Sequence, residues 1–187
     1  MPEIIFDTSV LSNFALSDSL SVIEKLYTGH SYITEFVAAE NMRGIASNHR
    51  KLITIKEALK SGWLTEVTLE GKKEKPLFES LSLSLGLGEA SSIAVAKVRG
   101  FVFASDDRAA RKEANLLGVK LTGTVGILIK AIEKKVINPK QADKILGVMK
   151  TNQCHLLRLV RKLPHQAVRQ YHLLWQGNVL QAIHPSH

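Results

Sequence analysis

Four acidic positions lie far apart in the chain yet occupy comparable places in it: Asp7 in EIIFDTSVL, Glu40 in YITEFVAAE, Glu89 in GLGEASSIAVA, and the Asp106-Asp107 pair in FVFASDDRAAR. Three of them follow, at once or within a turn, a short apolar run that reads as a buried strand: Ile4–Phe6, Tyr32-Ile33 and Phe101–Ala104. Glu89 instead opens a helix after a glycine-rich turn. In a parallel α/β sheet, ligands bind beyond the carboxyl ends of the strands. Two unit charges about 4 Å apart repel by about 4 kcal/mol at an effective dielectric near 20, so gathered carboxylates call for a cation between them. Mg²⁺ and Mn²⁺ take such oxygen donors and act on phosphates.

Each acid also has an ordinary structural role open to it. Asp7 precedes Thr8 and Ser9 and could cap the next helix. Glu40 is mid-helix, and its neighbours Val37, Ala38 and Ala39 leave both faces open; Glu35 reads as exposed. Glu89 suits a first helical turn by charge alone. Asp106 and Asp107 read equally as a cap and a first-turn acid, with Asp106 the less certain metal ligand. An unpaired Asp buried at the centre of a parallel sheet is costly, which favours a ligand at Asp7. The set carries the metal reading, and no single position does. Ser9 and Ser105 stand where hydroxyls would orient carboxylates or waters. Arg108, Arg111 and Lys112, beside the cluster, would hold phosphates or form a solvated basic face.

The elements that must position these residues alternate between strand and helix. That order predicts a three-layer α/β/α domain with a central parallel sheet of about five strands. Strands are expected at 3–6, 31–33, 63–69, 101–104 and 119–122. Helices are expected at 9–16, 19–27, 35–45 (apolar face Phe36, Val37 and Ala39), 50–60, 75–83, 89–99, 107–117, 124–135 and 139–149.

Composition agrees with an ordinary globular domain: 187 residues, 45% hydrophobic and 22% charged. No apolar stretch approaches the roughly 18 residues of a membrane span, and no leader precedes the first strand, so no membrane association is expected. A single cysteine, Cys154, fits a reducing cytoplasm. The net charge of +8, around an acidic centre, suits a polyanionic substrate held by its phosphates. Residues 1–149 are read as the metal-binding domain. Residues 151–187 are read as a basic, His-rich appendage, with no Asp or Glu, four Lys or Arg and five of the seven histidines.

Other chemistries fit less well. Asp7 is followed by Thr8-Ser9-Val10, which is no phosphatase D-x-D-x-T. Gly86-Leu87-Gly88 lacks the third glycine and the preceding strand of a dinucleotide fingerprint. Cys154, His155, His165 and His172 have no recognised metal spacing.

The segments EIIFDTSVLSNFA, YITEFVAAE, LGLGEASSIAVA and FASDDRAARKEANLLGVKLTGTVGIL, in that order, resemble the PIN-domain family. The likeness covers about residues 2–149. It is greatest to a prokaryotic branch with a G-x-G-E helix start, a D-D-R-x-A-R segment and a G-T-x-G-x-L segment. The resemblance implies a metal-dependent endoribonuclease of the VapC type, with Asp7, Glu40, Glu89 and Asp107 as the catalytic, metal-holding acids for Mg²⁺ or Mn²⁺. It further implies an RNA substrate cut by an activated water, a homodimer, and a role as toxin beside a small antitoxin protein. The chain departs from the family in having Glu rather than Asp at position 89. A PIN-like module that binds RNA or protein without cutting is the alternative.

Overall fold

In the computed structural model, residues 1–47 and 49–151 are described; Cys154, the later histidines and the rest of the expected appendage lie outside them. Among the described residues, five short strands form one parallel sheet: β1 (Ile4–Phe6), β2 (Ser31–Thr34), β3 (Leu64–Val67), β4 (Val102–Ala104) and β5 (Leu121–Thr122). Their order across the sheet is β3-β2-β1-β4-β5. The chain therefore winds one way from β1 through β3 and the other way from β4 to β5, and the order reverses between β1 and β4. A crevice at such a reversal is where open parallel sheets bind ligands.

The helices are α1 (Thr8–Leu16), α2 (Leu20–Tyr27), α3 (Glu35–Ala46), α4 (Ile53–Ser61), α5 (Gly71–Ser82), α6 (Leu87–Arg99), α7 (Arg108–Leu116), α8 (Thr124–Glu133) and α9 (Pro139–Thr151). The central strand explains why both faces of the sheet are covered. All three residues of β1 are buried, and successive side chains of a strand point to opposite faces. Ile4 and Phe6 join one core with residues of α1, α2, α4 and α8. Ile5 joins a second core with Phe103 of β4 and residues of α6 and α7. This is the three-layer α/β/α arrangement expected from the alternation. Met149, near the end of α9, is fully buried in the first core, so α9 is part of the domain.

Several expected details shift. Helix α5 starts at Gly71, four residues before the expected boundary, and carries Pro76 inside it. Its first turn is held by Glu74, which accepts Glu70 N at 2.6 Å and pairs with Arg99 at 2.7 Å. The segment expected as one helix at 50–60 opens instead as a 3₁₀ turn at Arg50–Leu52 before α4. On α3, Val37 and Asn41 are buried while Ala39 is exposed, and Glu35 is half-buried rather than exposed. Among the described residues, no helix is long and apolar enough to cross a membrane.

Candidate metal centre

Strand register sets the middle of the site. Phe6 pairs with Ala104, and Asp7 N donates to Ala104 O at 2.9 Å. Asp7 and Ser105 are therefore neighbours at the carboxyl edge, where the strand order reverses. Asp7 is 2% exposed. It caps α1, and its carboxylate accepts Thr8 N at 2.7 Å, Ser9 Oγ at 2.8 Å and Ser105 Oγ at 2.9 Å. Burial holds its carboxyl above the usual range, against the pull of those three bonds, and the charge of Glu40 pushes the same way.

Helix α3 starts where β2 ends, with Thr34 as its cap, and brings Glu40 to the same edge. Glu40 Oε2 accepts Thr8 Oγ1 at 2.5 Å, and Oε1 accepts Gly88 N at 3.2 Å. Gly88 has to be glycine for this approach, because a Cβ there would stand 2.6 Å from Glu40 Oε2. One residue on, Glu89 Oε2 accepts Gly86 N at 3.2 Å in the first turn of α6. Its carboxyl is pushed up to about 7, first by burial, then by the charges of Asp7 and Asp107 and, less, of Glu40. Asp107 caps α7, with Oδ1 accepting Ala109 N at 2.8 Å and Ala110 N at 2.9 Å, while its own N donates to Ser105 Oγ at 3.1 Å.

Asp7, Glu40, Glu89 and Asp107 thus come from four separate elements; the charges of Asp7, Asp107 and Glu40 act on Glu89, and that of Glu40 acts on Asp7. Among the described residues, no Lys, Arg or His forms an ion pair with any of them. No three side chains of His, Cys, Asp or Glu are drawn together as a ready chelate among those residues. Glu40 and Glu89 turn instead to main-chain N–H groups, and Asp107 uses one oxygen as a cap. The donor set fits a hard divalent cation: every candidate donor is a carboxylate oxygen, and no Lys, Arg or His among the described residues pairs with these acids.

Asp106 is built in differently from the four. Its Oδ2 accepts Asn13 Nδ2 at 2.9 Å and Thr124 Oγ1 at 2.5 Å, and its Oδ1 accepts Thr124 N at 3.0 Å. Its oxygens thus take hydrogen bonds from α1 and from the start of α8. Ser9 and Ser105 both donate to Asp7 Oδ2, as expected of orienting hydroxyls. Arg108 and Lys112 are exposed on α7. Arg111 does not reach out: its Nη1 donates to Ser105 O at 2.8 Å and Thr122 O at 2.6 Å, clamping the ends of β4 and β5.

Thr8, Asn13, Gly88 and Thr124 belong to the site's framework, and sequence reasoning missed them. Ser9 and Asn13 stand four residues apart, hence on one face of α1. Asn13, a polar residue between the apolar Val10-Leu11 and Phe14-Ala15 of α1, is the signal the sequence offers.

The family model for DUF3368, described as a PIN domain, matches residues 3–170. This chain belongs to the PIN-domain family. PIN domains are generally nucleases and usually bind divalent metals. The match continues past residue 149, the expected end of the domain. The crystal structure of PAE2754 from Pyrobaculum aerophilum is similar in fold, with a TM-score of 0.51 over 71% of this chain and 98% of that one, at 16% identity. No protein of curated function matches the chain.

Proposed function

We propose that this PIN domain is a metal-dependent endoribonuclease, with Asp7, Glu40, Glu89 and Asp107 as the residues that would hold Mg²⁺ or Mn²⁺. The observation that carries the reading is the coupling at Glu89, whose carboxyl is lifted to about 7 partly by Asp7, Asp107 and Glu40. A bound divalent cation supplies Lewis acidity and eases deprotonation of water. The protein does the rest. Thr8 N, Ser9 and Ser105 fix the Asp7 carboxylate, Thr8 Oγ1 and Gly88 N fix Glu40, and the cap at α7 fixes Asp107. Exposed Arg108 and Lys112 stand beside the cluster, where they would hold substrate phosphates. No side-chain nucleophile is needed, and hydrolysis leaves 3′-hydroxyl and 5′-phosphate ends.

The test incubates the protein with single-stranded RNA, with the matching DNA, and with each metal or EDTA, and maps the ends of the products. Internal cuts in RNA that need Mn²⁺ or Mg²⁺ and vanish in Asp7→Asn support the proposal. RNA binding without cutting would make the chain a silent binding module. A toxin role adds a cellular expectation: induced wild type stops growth, Asp7→Asn does not, and a small partner protein relieves the arrest. Light scattering checks the homodimer that belongs to the same reading.

A further inference from the structure

Asp106 carries a charge that the metal cluster does not use, and its surroundings show what it does instead. The cap position before helix α8 is Gly123, which has no side chain to cap it. The cap comes from Asp106, 18 positions earlier, whose Oδ1 accepts Thr124 N at 3.0 Å. A carboxylate there answers the positive end of the helix. Oδ2 takes Asn13 Nδ2 and Thr124 Oγ1, and Asn13 Nδ2 also donates to Thr124 Oγ1 at 3.1 Å, so the three side chains close a ring. Asn13 and Thr124 are almost fully buried. The main chain is held as well, because Asp106 N donates to Ser9 Oγ at 3.1 Å, and Ser9 Oγ donates to Asp7. A Cβ at Gly123 would meet Asp106 Oδ1 at 2.5 Å, so the approach requires glycine.

On either side of Asp106 lie Ser105, bonded to Asp7, and Asp107, bonded to Ser105 Oγ. We infer that Asp106 is a positioning residue and not a metal ligand: through Asn13 and Thr124 it pins the β4–α7 loop between α1 and α8, and so sets Asp107 against Asp7. The inference rests on the metal-site reading for what is positioned, and on the bonds above for how.

An exchange of the two side chains tests it. Asp106→Asn puts an amide N–H against either Thr124 N–H or Asn13 Nδ2; turning the Asn13 amide over relieves the clash only by burying its N–H₂ where an oxygen stood, so the ring is weakened. Adding Asn13→Asp restores it. The amide now at position 106 accepts Thr124 N through its oxygen, and its nitrogen donates to Thr124 Oγ1 and to the carboxylate now at position 13. The Thr124 hydroxyl turns to donate to that same carboxylate. The charge has then left the loop while every bond is kept. Three readouts are compared for wild type, both single variants and the exchange: melting in EDTA, Mn²⁺ binding by calorimetry, and kcat with KM for single-stranded RNA.

Asp106→Asn is expected to lower the melting temperature and to weaken Mn²⁺ affinity about tenfold or more, as loss of an orienting partner does. Its kcat should fall with little change in KM, and the exchange should recover all three. If the exchange restores melting but not Mn²⁺ affinity, Asp106 is a ligand and the inference fails. It also fails if Asp106→Asn leaves Mn²⁺ affinity and kcat unchanged. Should Asp106→Asn not fold, Thr124→Val removes one bond of the ring and keeps the helix N–H; unchanged Mn²⁺ affinity there overturns the inference. Failure of the nuclease reading looks different. Wild type would then bind no Mn²⁺ and cut no RNA, while the exchange would still restore melting.

Discussion

The carboxylate of Glu40 occupies the space that a side chain at position 88 would fill: Gly88 N donates to its Oε1 at 3.2 Å, and a Cβ would stand 2.6 Å from its Oε2. The atoms in the way are the far end of a flexible side chain, so Glu40 can swing aside. Gly88→Ala should therefore fold, since alanine suits a helical position at least as well as glycine. Metal-dependent cleavage should nonetheless fall at least tenfold, because Glu40 is expelled from the cluster. Melting and cleavage measured on one preparation check the split; a stable and fully active variant would remove Glu40 from the site.

Asp7→Asn should abolish cleavage and leave the fold intact. Its melting temperature in EDTA should equal or exceed that of wild type, because a buried charge raised against its neighbours is removed. Mn²⁺ should then stabilise wild type and not the variant. Equal stabilisation of both would place the metal elsewhere.

Glu89 gives the pH dependence. Its carboxyl is lifted from 4.5 to about 7 in the folded protein, so the folded state binds the proton more tightly than the unfolded state. In metal-free protein this contribution is complete below about pH 4.5 and is lost as pH rises through about 7. Ligation needs the deprotonated form, so Mn²⁺ affinity should rise through the same window. Melts at about pH 5 and about pH 8 in EDTA, for wild type and Glu89→Gln, check it. The variant should lack this drop, and an identical profile would show that Glu89 is not the titrating group.

Arg99 supplies a control far from the metal chemistry. It pairs with Glu74, 2% exposed, at 2.7 Å and also donates to Thr68 O at 2.8 Å. Arg99→Ala leaves Glu74 buried without its partner and should cost on the order of 3 kcal/mol. At a temperature where the variant is folded, cleavage per folded molecule should be unchanged.

Much of this architecture is legible in the sequence because its signals are local. Strand and helix alternate, glycines mark the turns, and acids follow apolar runs. The start of α5 is hidden because its capping carboxylate, Glu74, is fixed by Arg99, 25 positions away. The candidate acids, with Ser9 and Ser105 as hydroxyls beside Asp7, can be picked out in the sequence, and the other supports cannot. Asp106 looks like its neighbour Asp107 on paper; only the approach of α1 and α8 divides them, one carboxylate closing a ring of side chains and the other facing the cluster. Gly88 reads as part of a tight turn, and its closeness to Glu40 emerges only when α3 packs on α6.

The bond between Ser105 and Asp7 joins residues 98 positions apart, across the pairing of β1 with β4. Contacts between such distant segments form slowly, because the loop must close before anything rewards closure. A chain emerging from synthesis holds Asp7 and Glu40 long before it holds Asp107 and the strand that aligns them. On the proposed reading, cleavage would have to wait until β1 and β4 pair, because only that pairing brings Asp7 and Asp107 to one edge of the sheet.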